Sequence, residues 1–262
     1  MFRFAPVVAL LPMFAGCVSD LDLSDYRIVD LTHPYNEDTI YWPTSPSSFE
    51  LTELAYGETT GGWFYSAYAF SMPEHGGTHF DAPVHFSASG AAVQEVPLGD
   101  LIAPAVLIDV SAKAAADSNY RLTVEDVLEF EARHGAIEPG TIVLLRTGWS
   151  DRWPDKVAYL GDDTPGDVTR LSFPGYGADA SRLLVEERGV VLLGIDTASI
   201  DYGASEDFPV HRVSAGRNVG ALENLTGLDE LPPTGSTLFA LPIVIEGGSG
   251  APMRAVALVP RD

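Results

Sequence analysis

Cysteine is nearly absent from this 262-residue chain. Cys17 is the only one, so no internal disulfide can form, and the fold must be held by packing and hydrogen bonds. Positive charge is scarce too: 15 Lys and Arg stand against 37 Asp and Glu, a formal net charge of −22. That field repels phosphate backbones and anionic headgroups, which excludes nucleic acid as a partner, and it favours solubility. The apolar run at the start, Ala5 to Phe14, is too short to cross a bilayer as a helix, which needs about 20 residues. No internal repeat or low-complexity tract is present. With 46% hydrophobic residues, the chain suffices for one core, and a single globular domain is expected.

The first residues have the make-up of a targeting segment: Arg3, the apolar run, then Ala15 and Gly16 before Cys17. The end of that segment resembles a bacterial lipoprotein cleavage box, with Phe14 where leucine is usual. The expected organisation is a signal peptide over 1–16 and a mature domain over 17–262. A lipid on the Cys17 sulfur would anchor the domain outside the cytoplasm, on the periplasmic side. Plain secretion, and a cytoplasmic N-terminus with a buried cysteine, are the other readings of the same segment.

Beyond Asp25, short β-branched runs alternate with helical patterns, the signature of an α/β fold. Strands are expected at Arg27 to Leu31, Tyr65 to Met72, Ala105 to Val110, Thr141 to Arg146, Val190 to Ile195, Thr237 to Leu241 and Arg254 to Val259. Several are apolar on both faces and so need cover on both sides. A helix is expected after Thr123, capped by that residue with Asp126 three positions on, and ending near Gly135. A second runs from Gly177 to a terminating Gly189. Arg152 to Tyr176, rich in Asp, Gly and Pro, reads as a long surface loop.

Three of the six histidines, His75, His79 and His85, fall within eleven residues, with Asp81 among them. A helical zinc motif is disfavoured because Gly76 and Gly77 are poor helix formers and Pro83 blocks continuation. In an extended segment His75, His79 and Asp81 would share a face, while Pro83 turns the chain before His85. Two imidazoles and a carboxylate suit zinc, manganese or ferrous iron. Three protein ligands also leave positions open for water, as in catalytic rather than structural sites. His85, off that register, is free to act as general acid or base.

The stretch HGGTHFDAPVHF, His75 to Phe86, resembles the H-x-G-T-H-x-D-x-P-x-H-F signature of the cyclase family of metal-dependent hydrolases. The resemblance extends to DLTHPY from Asp30, GIDTASID from Gly194 and GGSGAPMRAVAL from Gly247. It implies a swivelling β/β/α fold in one α/β domain, His75, His79 and Asp81 as metal ligands, and His85 handling protons. In two-metal members a distal histidine and a glutamate twelve residues later hold a second ion, and His211 and Glu223 stand at that separation. The implied cofactor is a divalent metal, zinc or else manganese, as one or two ions, and Asp81 would bridge two.

Asp196, Thr197 and Ser199, at the end of an apolar strand, are candidates for orienting the ligands, with a turn role as the other reading of Asp196. Trp63, Phe64, Tyr65 and Tyr68 either wall an aromatic pocket or form a packed strand or an interface. His33 is a candidate for support near the site, and His134, at a helix end, is read as structural. The expected reaction is hydrolysis of an amide, formamide or cyclic amide of a small, possibly aromatic, molecule by a homo-oligomeric enzyme. The alternatives are an ester or lactone hydrolase at the same site, and an envelope lipoprotein that binds a metal or small molecule without turnover.

Overall fold

Strands that are apolar on both faces need cover on both, and here one cover is the sheet itself, closed into a barrel. The computed structural model describes residues 22–261; the expected leader over 1–16 and Cys17 lie outside the described residues. The strands are β1 Tyr26–Asp30, β2 Glu50–Glu58, β3 Phe64–Ser71, β4 His79–Asp81, β5 Ile102–Asp109, β6 Arg121–Leu122, β7 Ile142–Arg146, β8 Gly175–Tyr176, β9 Leu192–Ile195, β10 Gly220–Glu223, β11 Ser236–Pro242 and β12 Gly250–Pro260. Seven staves close the barrel in the order β12, β11, β5, β7, β9, β10, β4 and back to β12, and β1 pairs with β12 from outside the ring. Strands β5, β7, β9 and β10 run parallel, and the remaining barrel pairings are antiparallel.

Strand β7 shows how sequence fills both sides. Ile142 and Leu144 point into the barrel, where Phe80, Leu222 and Leu238 pack with the alanines at 103, 105, 240, 255 and 257, small enough for a narrow lumen. Val143 and Leu145 face outward, under Val127 and Phe130 of the helix Val124–His134 and Ala180 of the helix Ala178–Arg182. The expected single α/β domain, with strands covered on both sides, is the one observed.

The seven expected strands appear with their ends shifted by a few residues, and the helix from Val124 carries the expected cap. Thr123 Oγ1 accepts from Asp126 N at 3.2 Å, and the Asp126 carboxylate accepts from Thr123 N at 2.8 Å. Residues 152–176 depart from expectation. This stretch contains the helix Lys156–Leu160, capped by Asp155, and the strand β8. Tyr159, Leu160, Leu171 and Phe173 are buried around Trp149, because apolar anchors spaced among polar residues draw the segment inward. The hairpin of β2 and β3 is exposed on both faces along most of its length.

Candidate active site

Strand β4 is three residues long and paired on both edges, and it sets the site. His79 and Asp81, two apart, project from one face, while Phe80 between them enters the barrel core. Glu223 lies directly opposite His79 in the β10 register, and Gly250 opposite Asp81 in β12. A side chain at 250 would collide with His75, whose Cε1 lies 2.5 Å from where a Cβ would sit. His75 itself is not in the strand, contrary to the extended reading. It arrives on a bend before β4 in which Gly77 takes φ +59, a left-handed conformation that glycine adopts without strain.

The third imidazole of the cluster comes from the helix Pro209–Ala215, where proline fills the first position at no cost in hydrogen bonding. Its first turn donates to the Asp201 carboxylate, from Val210 N at 3.0 Å and His211 N at 3.1 Å, and His211 Nδ1 donates to the same carboxylate at 2.7 Å. That contact turns His211 Nε2 toward Asp81 Oδ2 and Glu223 Oε1, both at 3.2 Å. His79 is fixed in the same sense: Nδ1 donates to Gly77 O at 2.9 Å, and Nε2 stands 3.1 Å from Asp81 Oδ1 and 3.6 Å from Glu223 Oε2. His75 Nδ1 lies 2.7 Å from Asp81 Oδ1.

Two overlapping groups could therefore hold a metal: His75, His79 and Asp81, and Asp81, His211 and Glu223, each with ligand atoms within 4.8 Å of one another. The donor chemistry fits a divalent ion, since two buried carboxylates need compensating charge and three imidazoles supply neutral nitrogen. Burial would raise the Asp81 pKa, but His75 and His79 hold it well below the carboxylate range. Burial likewise opposes a charge on His79, yet Asp81 and Glu223 hold its pKa at about 9. Protons and a cation thus compete for the same nitrogens.

A cavity of about 260 Å³ opens over this cluster, lined by Tyr41, Trp42, Phe86 and Phe208 and also by Ser199 and His85. Pro83 starts the turn Pro83–His85, which stacks the His85 ring on His75 with centroids 3.9 Å apart. Part of His85 is open to solvent, while the protein packed around the rest disfavours a charge and pushes its pKa down to about 4. It is neutral at pH 7, with a lone pair able to take a proton.

The structure thus brings His75, His79, Asp81, His85, His211 and Glu223 together. It places other candidates elsewhere. Trp63, Phe64, Tyr65 and Tyr68 sit on or beside the exposed hairpin and do not line the cavity, so the pocket-wall reading fails within one chain; Trp42, Phe86 and Phe208 take that place. Alternation in a ribbon exposed on both faces looks the same in sequence as alternation in a pocket wall. Asp196 touches no candidate ligand: its carboxylate accepts from Thr147 N, Thr147 Oγ1 and Gly148 N and so fixes a turn. Thr197 Oγ1 donates to Ser199 O, and Ser199 Oγ accepts from Asp201 N at 3.2 Å. His33 stacks on Trp153 outside the cavity, and His134 ends its helix against Phe130.

Two residues that orient the cluster were not foreseen. One is Asp201, although it lies in the quoted GIDTASID segment. The other is Asn224, which takes φ +54 and donates from Nδ2 to Gly77 O at 2.8 Å while its Oδ1 accepts from Tyr159 OH at 2.9 Å.

Comparison with known proteins agrees with this geometry. The Cyclase family model matches residues 29–202. The isatin hydrolase of Roseibium aggregatum is 37% identical over 72% of this chain and 73% of its own. The kynurenine formamidase of Salinibacter ruber is 34% identical over 71% and 76%. Isatin hydrolase A from Labrenzia aggregata, solved with benzyl benzoate, superposes with a TM-score of 0.83 at 33% identity, covering 91% of this chain and 95% of that one. Barrel, signature and extent of match lead to one assignment: the chain belongs to the cyclase family of metal-dependent hydrolases and has that family's fold.

Proposed function

We propose that the protein hydrolyses the C–N bond of an amide, formamide or cyclic amide in a small aromatic molecule, with His75, His79 and Asp81 as ligands of one divalent ion and Asp81, His211 and Glu223 able to hold a second. The observation that carries this reading is the convergence of three imidazoles and two carboxylates on the floor of an aromatic-walled cavity. A bound ion, zinc or manganese, would activate water and polarise the substrate carbonyl. Trp42, Phe86 and Phe208 would hold a flat substrate over the cluster and exclude bulk water. Neutral His85 would take the proton released by the attacking water and return it to the departing nitrogen. The names of the relatives, an isatin hydrolase and a formamidase, favour an amide over an ester or lactone and favour turnover over simple binding.

The test pairs metal analysis of protein purified without chelator with hydrolysis assays on isatin, formylkynurenine and simple lactones, before and after metal removal. Amide hydrolysis that is lost with the metal and restored by zinc or manganese is expected. Protein that takes up neither ion would show the reading to be wrong.

Two further assignments belong to the same proposal. Cleavage before Cys17 and lipidation of its sulfur would place the enzyme outside the cytoplasm, and mass spectrometry of the mature N-terminus tests this. The exposed Trp63, Phe64, Tyr65 and Tyr68 suit an interface between copies of the chain, because that much apolar surface on one ribbon favours burial. Light scattering should show a homo-oligomer that Trp63→Glu weakens; a monomeric wild type would remove this assignment.

A further inference from the structure

The glycine-rich segment that leads into β12 reaches Glu74 and His75. Ser249 sits between Gly248 and Gly250, and its hydroxyl donates to Glu74 Oε2 at 2.6 Å while its backbone N–H donates to the same oxygen at 3.1 Å. His75 Nε2 lies 3.0 Å from Ser249 Oγ. A hydroxyl has a single hydrogen. With that hydrogen committed to Glu74, Ser249 Oγ can only accept from His75, so Nε2 carries the proton. Nδ1, facing Asp81 Oδ1 at 2.7 Å, is then the nitrogen left for a cation.

This is the reverse of His79 and His211, which are held through Nδ1 and present Nε2. The flanking glycines make the arrangement possible. A Cβ at 248 would sit 3.0 Å from Glu74 Oε1, and one at 250 would sit 2.5 Å from His75 Cε1, so side chains there would push apart the two groups that Ser249 joins. Glu74 is also the sequence neighbour of His75, so the bracket spans the bend that delivers the ligand.

We infer that Gly248, Ser249 and Gly250, with Glu74, form a positioning device that fixes His75 as the Nε2–H tautomer and presents its Nδ1 to the metal. The inference rests on the metal reading above. Metal-ligating histidines are commonly oriented through their second nitrogen, and loss of such a partner weakens metal binding by about 10–100-fold. Ser249 acts through His75 and is a positioning residue.

Two measurements test it. In the zinc-loaded wild type, nitrogen-15 NMR of the imidazoles should show the His75 proton on Nε2 and those of His79 and His211 on Nδ1. Calorimetric zinc titration of Ser249→Ala should show affinity weaker by about 10–100-fold, and Ser249→Thr, which returns the hydroxyl, should recover most of it. A His75 proton found on Nδ1, or a Ser249→Ala protein that binds zinc as tightly as wild type, would overturn the inference while leaving the metal reading intact. A wild type that binds no zinc would overturn both.

Discussion

Replacing His85 with alanine removes an imidazole from the cavity without removing a member of either metal-binding group. The expected result is a fall in kcat of about 10²–10⁴-fold, the usual contribution of a positioned acid–base group, with metal content unchanged. A fully active variant would end the proton-transfer assignment. Asp201→Asn tests a different link, because the Asp201 carboxylate fixes both the ring of His211 and the first turn of its helix. Metal affinity should weaken by about 10–100-fold, most visibly for the second ion, and titration calorimetry would show it. At this scale much of the cluster was legible. His75, His79 and Asp81 are close in sequence, and a carboxylate with two imidazoles has a recognisable chemistry. Asp201 and Asn224 were not legible as partners, because what qualifies them is a hydrogen bond across the fold, ten residues along in one case and 147 in the other. No local periodicity records such a contact.

The helix Val124–His134 depends on Asp126, a buried carboxylate that accepts from Tyr120 OH at 2.6 Å, Thr123 N at 2.8 Å and Thr123 Oγ1 at 2.9 Å and also contacts Lys113 Nζ. Burial alone would raise its pKa, yet Lys113, Tyr120 and Thr123 together hold it below the ordinary 3.8. A carboxyl whose folded pKa is depressed contributes stability above its unfolded pKa and loses it as pH falls through the folded value. Asp126→Asn should therefore cost about 1.5–3 kcal/mol at pH 7, the worth of hydrogen bonds to a charged group, and less at a pH below the folded pKa, which lies under 3.8. Urea midpoints at the two pH values would decide; an equal loss at both would count against the charge. The cap was readable because Thr123 and Asp126 are three apart, whereas the outcome for β3 was not. A strand alternating aromatic and small residues carries the same pattern in a pocket, a core or an exposed hairpin, and only its exposure on both faces tells them apart.

Over the whole molecule, the −22 charge is a self-repulsion that salt should relieve. Raising ionic strength from ~0.01 M to ~1 M shortens the screening length from about 30 Å to about 3 Å. Tm should then rise by at least about 2–4 °C, equivalent to about 1 kcal/mol for a chain of this size, and a fall would show that specific ion pairs outweigh the net field. Metal is the second global term: at a free concentration about a thousandfold above Kd it adds about 4 kcal/mol to stability. Scanning calorimetry with and without chelator should show that loss. The barrel's closure was not legible from sequence, since β4, a three-residue stave, gives little strand signal, and its two partners lie about 140 and 170 residues further on. That closure also sets an order of assembly. Strand β12 pairs with β1, β11 and β4, and it is synthesised after all of them. A nascent chain can form its helices and the parallel staves early, but β4 keeps one open edge until β12 emerges. The metal-binding pocket is therefore a late product of biosynthesis, and a chain stalled before Gly250 should present its histidines on an unfinished rim with little hold on an ion.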